Sequence, residues 1–175
     1  MCMCISCTLV RMRYLGLLIL CAMLVVSCKT ETTDIACVDL VNPDQNKIFI
    51  GTVGVDCNVV HFDIELALNR AQQSQGLMNR TNMAEDAGML FVFPDEAERG
   101  FWMKNTLIPL DMIFIKANGV IHHIHENAVP HDLTSIKSNG PVMAVLEING
   151  GLSQKLNIKV GDSVNHPFFN RQNTQ

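Results

Sequence analysis

The chain predicts an α+β, mainly β fold: one compact domain of about five to seven mostly antiparallel strands, barrel-like or curled, with two short helices. Three observations carry this. Apolar and polar residues alternate from Val59 onward, Asn118-Gly119 separates two apolar runs, and the other apolar segments are short and closed by Gly or Pro.

From Val59 the residues Phe62, Ile64, Leu66 and Leu68 share one face, with His61, Asp63, Glu65 and Ala67 between them, as in a half-buried strand. Asn69 is placed to cap a short helix over Arg70–Gln75, which Gly76 ends. Leu77 and Met78 anchor that end to the core. Met89–Phe93 reads as an apolar strand stopped by Pro94, and Asp95–Arg99 as a charged loop or single turn. Leu110–Lys116 and Val120–His125 flank Ala117-Asn118-Gly119, a hairpin signal because both central residues accept positive φ. Val142–Ile148 is a further strand closed by Asn149-Gly150-Gly151. Leu152–Leu156 suits one or two helical turns, and Gly161-Asp162 turns the chain into a last strand, Ser163–Phe168.

The N-terminus is not part of this fold. Arg11 and Arg13 precede an apolar stretch, Tyr14–Val26, that ends at Ser27-Cys28. A basic start, a short apolar core and a small residue describe an export signal over residues 1–27, too short to span a membrane stably. The cysteine that follows resembles a lipoprotein site, with Cys28 lipidated; an ordinary signal peptide or an uncleaved anchor are the alternatives. Met12 opens a more typical signal than Met1. Residues 28–47 read as a tether and entry arm, 48–169 as the globular domain and 170–175 as a tail. Cys2, Cys4, Cys7 and Cys21 leave with the signal, so Cys37 and Cys57 remain as either a disulfide or two free thiols. A bridge would add up to about 3 kcal/mol.

The chain carries 13 basic and 17 acidic residues, a formal charge of −4. Loss of Arg11 and Arg13 leaves a still more acidic protein with no Lys/Arg cluster, which argues against nucleic-acid binding and against charge-driven attachment to an anionic membrane. The expected membrane contact is the lipid on Cys28. Lys29 in place of an acidic residue after Cys28 slightly favours the outer membrane, facing the periplasm.

Several motifs follow in order: Gly76-Leu77-Met78 with Arg80, Gly88-Met89-Leu90-Phe91-Val92-Phe93, Phe101-Trp102-Met103-Lys104-Asn105-Thr106, Ile108-Pro109-Leu110-Asp111, Val145-Leu146-Glu147 and Gly161-Asp162. Together they resemble the domain of unknown function 192 family, also called the uncharacterised ancient conserved region family, over roughly Val59 to Val164. Asn79 stands where the family tends to have a larger residue, and Asn149-Gly150-Gly151 replaces a more usual turn. The resemblance implies a compact, mainly β fold and frequent export. It implies no activity, so function has to come from the site.

Two constellations carry chemistry. In the first, Arg80, Trp102, Lys104, Asn105, Asp111 and Glu147 lie beside strongly apolar runs, where unpaired charge is costly. As a ligand site, Trp102 stacks, Lys104 and Asn105 donate, and Asp111 or Glu147 accepts, a set suited to a small polar ligand or an envelope protein partner. As a structural network, Arg80 or Lys104 pairs with Asp111 or Glu147. As a carbohydrate-acting envelope hydrolase, Asp111 and Glu147 are acid and base, although no nucleophile motif accompanies them. The second constellation spans His122 to His131: His123 and His125 share a strand face and His131 follows on a loop, a candidate metal site or an exposed hairpin with solvated imidazoles. Met78, Met89, Met103, Met112 and Met143 fall in apolar strands and read as adaptable core. No cofactor is expected. A lipid-anchored binding module using the segment Trp102 to Asp111 is the first expectation, ahead of catalysis.

Overall fold

The computed structural model of the chain describes residues 44–51 and 58–170. The expected signal, Cys28, Cys37 and Cys57 lie outside the described residues.

Seven strands form one sheet in the order β5-β4-β6-β3-β2-β1-β7. They are β1 (Lys47–Gly51), β2 (Val59–Ala67), β3 (Ala87–Phe101), β4 (Leu110–Ile115), β5 (Ile121–Ala128), β6 (Ile136–Asn149) and β7 (Ser163–Asn165). Every pairing is antiparallel except β2 with β3, whose crossover contains α1 (Arg70–Gln75). The two ends of the sheet meet: Val120 bridges Ser163, the Ile121 amide donates to the Asp162 carbonyl at 3.0 Å, and the Val164 amide to the Gly119 carbonyl at 2.8 Å. The result is a curled half-barrel.

This curl creates two cores. The concave one takes residues from all seven strands, among them Ile48, Phe62, Leu90, Ile113, Ile121, Leu146 and Val164, closed by Leu152 and Phe169. The second lies on the opposite face of β3, β4 and β6, where Met89, Phe91, Leu110, Met112, Phe114 and Val145 are covered by Leu77 and Met103. Both faces of β4 are therefore buried, which is why Leu110–Ile115 shows no polar alternation. Burial of each large side chain here contributes about 1.5–3 kcal/mol.

Three expectations are corrected. Pro94 does not stop β3. Between Val92 and Ala97 the register with β6 shifts, and Pro94, which lacks an N–H, sits in that bulge where no ladder bond is needed. Leu68 is exposed, because β2 ends at Ala67 and the Leu68 amide turns to the Gln72 side chain at 2.9 Å. The last strand is only Ser163–Asn165, and the following residues form a third helical turn, α3 (Pro167–Asn170), opened by a proline at its first position. The other helices stand as expected: α1 has Asn69 and Gln72 in a reciprocal capping box and Gly76 beyond its end, and α2 covers Leu152–Lys155.

Candidate functional site

Glu147 lies in the middle strand of the second core. Across β6 its neighbours are Met89 on β3 and Met112 on β4. The residue is 5 % exposed, and neither a hydrogen bond nor a neighbouring charge offsets the burial of its carboxyl. Burial without a compensating partner pushes it up to about 8. At neutral pH it is mostly a neutral acid, able both to donate and to accept.

Above Glu147 lies a pocket of about 420 Å³. One wall comes from the α1 crossover, where Gly76 at φ 47 brings the backbone so near that an added Cβ would sit 3.3 Å from the Phe91 ring. Phe91, Phe93 and Phe101 form the aromatic wall, with Phe101 edge-on to Phe91 at 5.1 Å and to Phe93 at 6.4 Å. The opposite rim is the segment 102–106. Met103 is its buried anchor, and its amide donates to the Asp132 carbonyl at 2.8 Å. The chain then turns tightly: the Thr106 amide reaches the Met103 carbonyl at 3.1 Å through Asn105 at φ 55. The Asn105 carbonyl accepts from the amide of Asn79, itself at φ 61, which braces the turn against the end of the α1 crossover. Asparagine at both positions fits, since its side chain tolerates the left-handed region.

That turn throws Trp102 and Lys104 outward. Trp102 is 53 % exposed and the Lys104 ammonium stands 5.3 Å from its ring centroid. Arg70 and Arg99 complete a cationic mouth. The Arg99 guanidinium stacks 4.2 Å over Phe93 and donates to the Asp95 carbonyl and carboxylate at 2.6 and 3.0 Å, while its buried Nε has no acceptor.

Asp111 is separate from this pocket. On β4 it stands opposite Ile148, a concave-core residue, whereas Met112 stands opposite Glu147. Strand alternation therefore points the two carboxylates to opposite faces of the sheet. Asp111 is fully buried and accepts three backbone N–H groups: Asn127 at 2.8 Å and Gly151 at 2.9 Å on Oδ1, Ser153 at 2.8 Å on Oδ2. It thereby caps α2, whose own N-cap Gly151 offers no side chain. Pro109 assists, its carbonyl accepting from the Gly150 amide at 2.9 Å. Pro109-Leu110-Asp111 and Asn149-Gly150-Gly151 are thus two halves of one corner.

Of the remaining predicted residues, Arg80 pairs with neither Asp111 nor Glu147. It makes a two-pronged ion pair with Glu65 at 2.6 and 2.9 Å, and the guanidinium's hydrogen bond holds the Glu65 carboxyl below its usual range. Asn105 contributes its backbone more than its amide, which lies 3.9 Å from the Met78 sulfur. His123 and His125 line one shallow hollow without His131, which is exposed at φ 65 on the loop beyond. His123 stacks on Phe114 at 5.7 Å, lies 3.2 Å from the Asn139 amide, and is held below its ordinary value by burial and then by His125 and His122. Among the described residues no three His, Cys, Asp or Glu side chains are grouped to hold a metal ion. Sequence reasoning missed Arg70, Gln73, Phe91, Phe93, Arg99 and Phe101 as pocket residues. The signal for Arg99 was its place between Phe93 and Phe101, which could have been read as a cation over an aromatic wall.

A family model described as uncharacterised ACR, domain of unknown function 192, matches residues 52–166. No curated protein matches the chain. Two solved structures are similar. One, from Sinorhizobium meliloti, is described as a proposed transcription regulator; it is 42 % identical over 71 % of this chain and 95 % of its own, with a TM-score of 0.65. The other, from Novosphingobium aromaticivorans, is of unknown function and is 43 % identical over 68 % of this chain and 83 % of its own, with a TM-score of 0.62.

Proposed function

The chain belongs to the uncharacterised ancient conserved region family, and from that premise we propose that it is a small-molecule-binding module whose ligand enters beside Trp102 and ends at Glu147. One observation carries the reading: a buried carboxyl with no protein partner faces a pocket walled by aromatic rings. An unpartnered buried polar group is costly to the fold, and a ligand that pairs with it recovers that cost. Asp111, tied up by backbone amides, leaves the ligand set, and Arg80 with it.

Methionine methyl groups give the test, since Met89 and Met112 flank Glu147. Methyl NMR of the full chain against a library of small aromatic compounds with one polar group should yield ligands that move both methyl signals. Glu147→Leu should weaken them about tenfold or more. Ligands that leave both signals unmoved, or bind the variant equally, contradict the reading.

We also propose that the domain is exported and lipid-anchored through Cys28, because Arg11, Arg13 and the apolar run to Val26 precede Ser27-Cys28. Incorporation of labelled palmitate that is abolished by Cys28→Ser supports this; labelling that persists contradicts it. The regulator description of the S. meliloti protein is not carried over, since this chain has 17 acidic against 13 basic residues and no basic cluster. The hydrolase reading is not retained either: its two carboxylates would have to flank one cleft, and Asp111 and Glu147 open to opposite faces.

A further inference from the structure

We infer that the ligand of this pocket is a small aromatic carboxylate carrying a hydroxyl or carbonyl group at its far end. The inference rests on the small-molecule reading above and narrows it by charge. Three cations stand at the mouth, Arg70, Arg99 and Lys104, and Glu147 is the one acidic residue that lines the pocket. Among the described residues Arg70 and Lys104 meet no carboxylate, and Arg99 meets only the exposed Asp95. This is a positive opening on a chain of net charge −4, so it is a local property of the site. A carboxylate there accepts from the Lys104 ammonium and from the Arg99 guanidinium, which among the described residues donates to Asp95 through Nη2 alone. An ammonium ligand would instead pass three like charges.

The body of the ligand meets Phe91, Phe93 and Phe101, which calls for an aromatic ring. Its far end meets Glu147, flanked by Met89 and Met112, neither of which titrates. Burial holds Glu147 up at about 8, so at neutral pH the floor adds little negative charge against an anion and offers an O–H and a carbonyl oxygen. A hydroxyl or carbonyl on the ring satisfies that acid.

Three probes of matched shape separate the possibilities: 4-hydroxyphenylacetate, 4-hydroxyphenylacetamide and 4-hydroxyphenethylamine, each titrated into the full chain while the Met89 and Met112 methyl signals are followed. The carboxylate is expected to bind at least about tenfold tighter than the amide and the amine. Lys104→Gln, at an exposed position, should reduce the preference for the acid over the amide, and Arg99→Gln should reduce it more. An amide or amine that binds as tightly as the acid overturns the anionic class and leaves the pocket reading standing. If none of the three moves either methyl signal at about 10 mM, both readings fall.

Discussion

Asp111 and Glu147 sit on neighbouring central strands, one residue apart in register, and both are almost completely buried. They have opposite fates. Asp111 points into the concave core and accepts from three N–H groups, and the α2 corner is fixed by it. Glu147 points the other way and receives none, so it stays protonated and faces a pocket. Depth alone therefore does not tell the two carboxylates apart. What separates them is the count of partners.

The comparison breaks most readily at Asp111. Asp111→Asn presents an amide N–H₂ to amides that need acceptors, and should lower unfolding free energy by on the order of 4–5 kcal/mol in urea. A loss below about 1 kcal/mol would mean that the three bonds are not what holds the corner.

At Glu147 the expected sign is reversed. Its carboxyl titrates at about 8 when folded against 4.5 when free, so the folded state binds the proton more tightly. Stability is therefore full below pH 4.5, falls as pH rises through the window to about 8, and stays low above it. Glu147→Gln should flatten that slope, with no gain at pH 4 and a gain of about 4 kcal/mol at pH 9. Parallel native and variant curves across the window would contradict it.

Smaller effects sharpen the picture. Gly88 lies across from Ile148, and a Cβ there would stand 2.8 Å from the Glu147 carbonyl oxygen. Gly88→Ala should shift β6 at that residue and cost about 2 kcal/mol in thermal unfolding. The Arg80–Glu65 pair is an exposed control, so Arg80→Ala should cost less than about 1 kcal/mol and leave ligand affinity alone. Trp102→Ala, at a half-exposed position, should change stability by less than about 0.5 kcal/mol while weakening ligand binding.

Much of the fold was legible because local signals and tertiary context agree. Asn69 to Gly76 encloses α1 as the capping pattern demands, and Asn118-Gly119 joins β4 to β5. The bulge at Pro94 was not legible, since proline in an apolar run reads as a stop unless a partner strand is known to skip it. Nor was the parallel β2–β3 pair, which depends on contacts distant in sequence.

Trp102, Lys104 and Glu147, singled out by their apolar surroundings, line one pocket. Asp111 was chosen for the same reason and lies on the other face of the sheet, a placement that alternation fixes only once the register with β6 is known. Arg99 and the three phenylalanines were hidden for the complementary reason: they look like loop and core until the curl of the sheet brings them to one wall.

The protonation of Glu147 is the point on which the account turns. Carboxyl ¹³C NMR of the full chain, with the Glu147 signal assigned by Glu147→Gln, reads it directly. The account predicts a midpoint near 8. A midpoint near 4.5, the value of a free glutamate, would mean that the carboxyl is solvated or paired, and would contradict it.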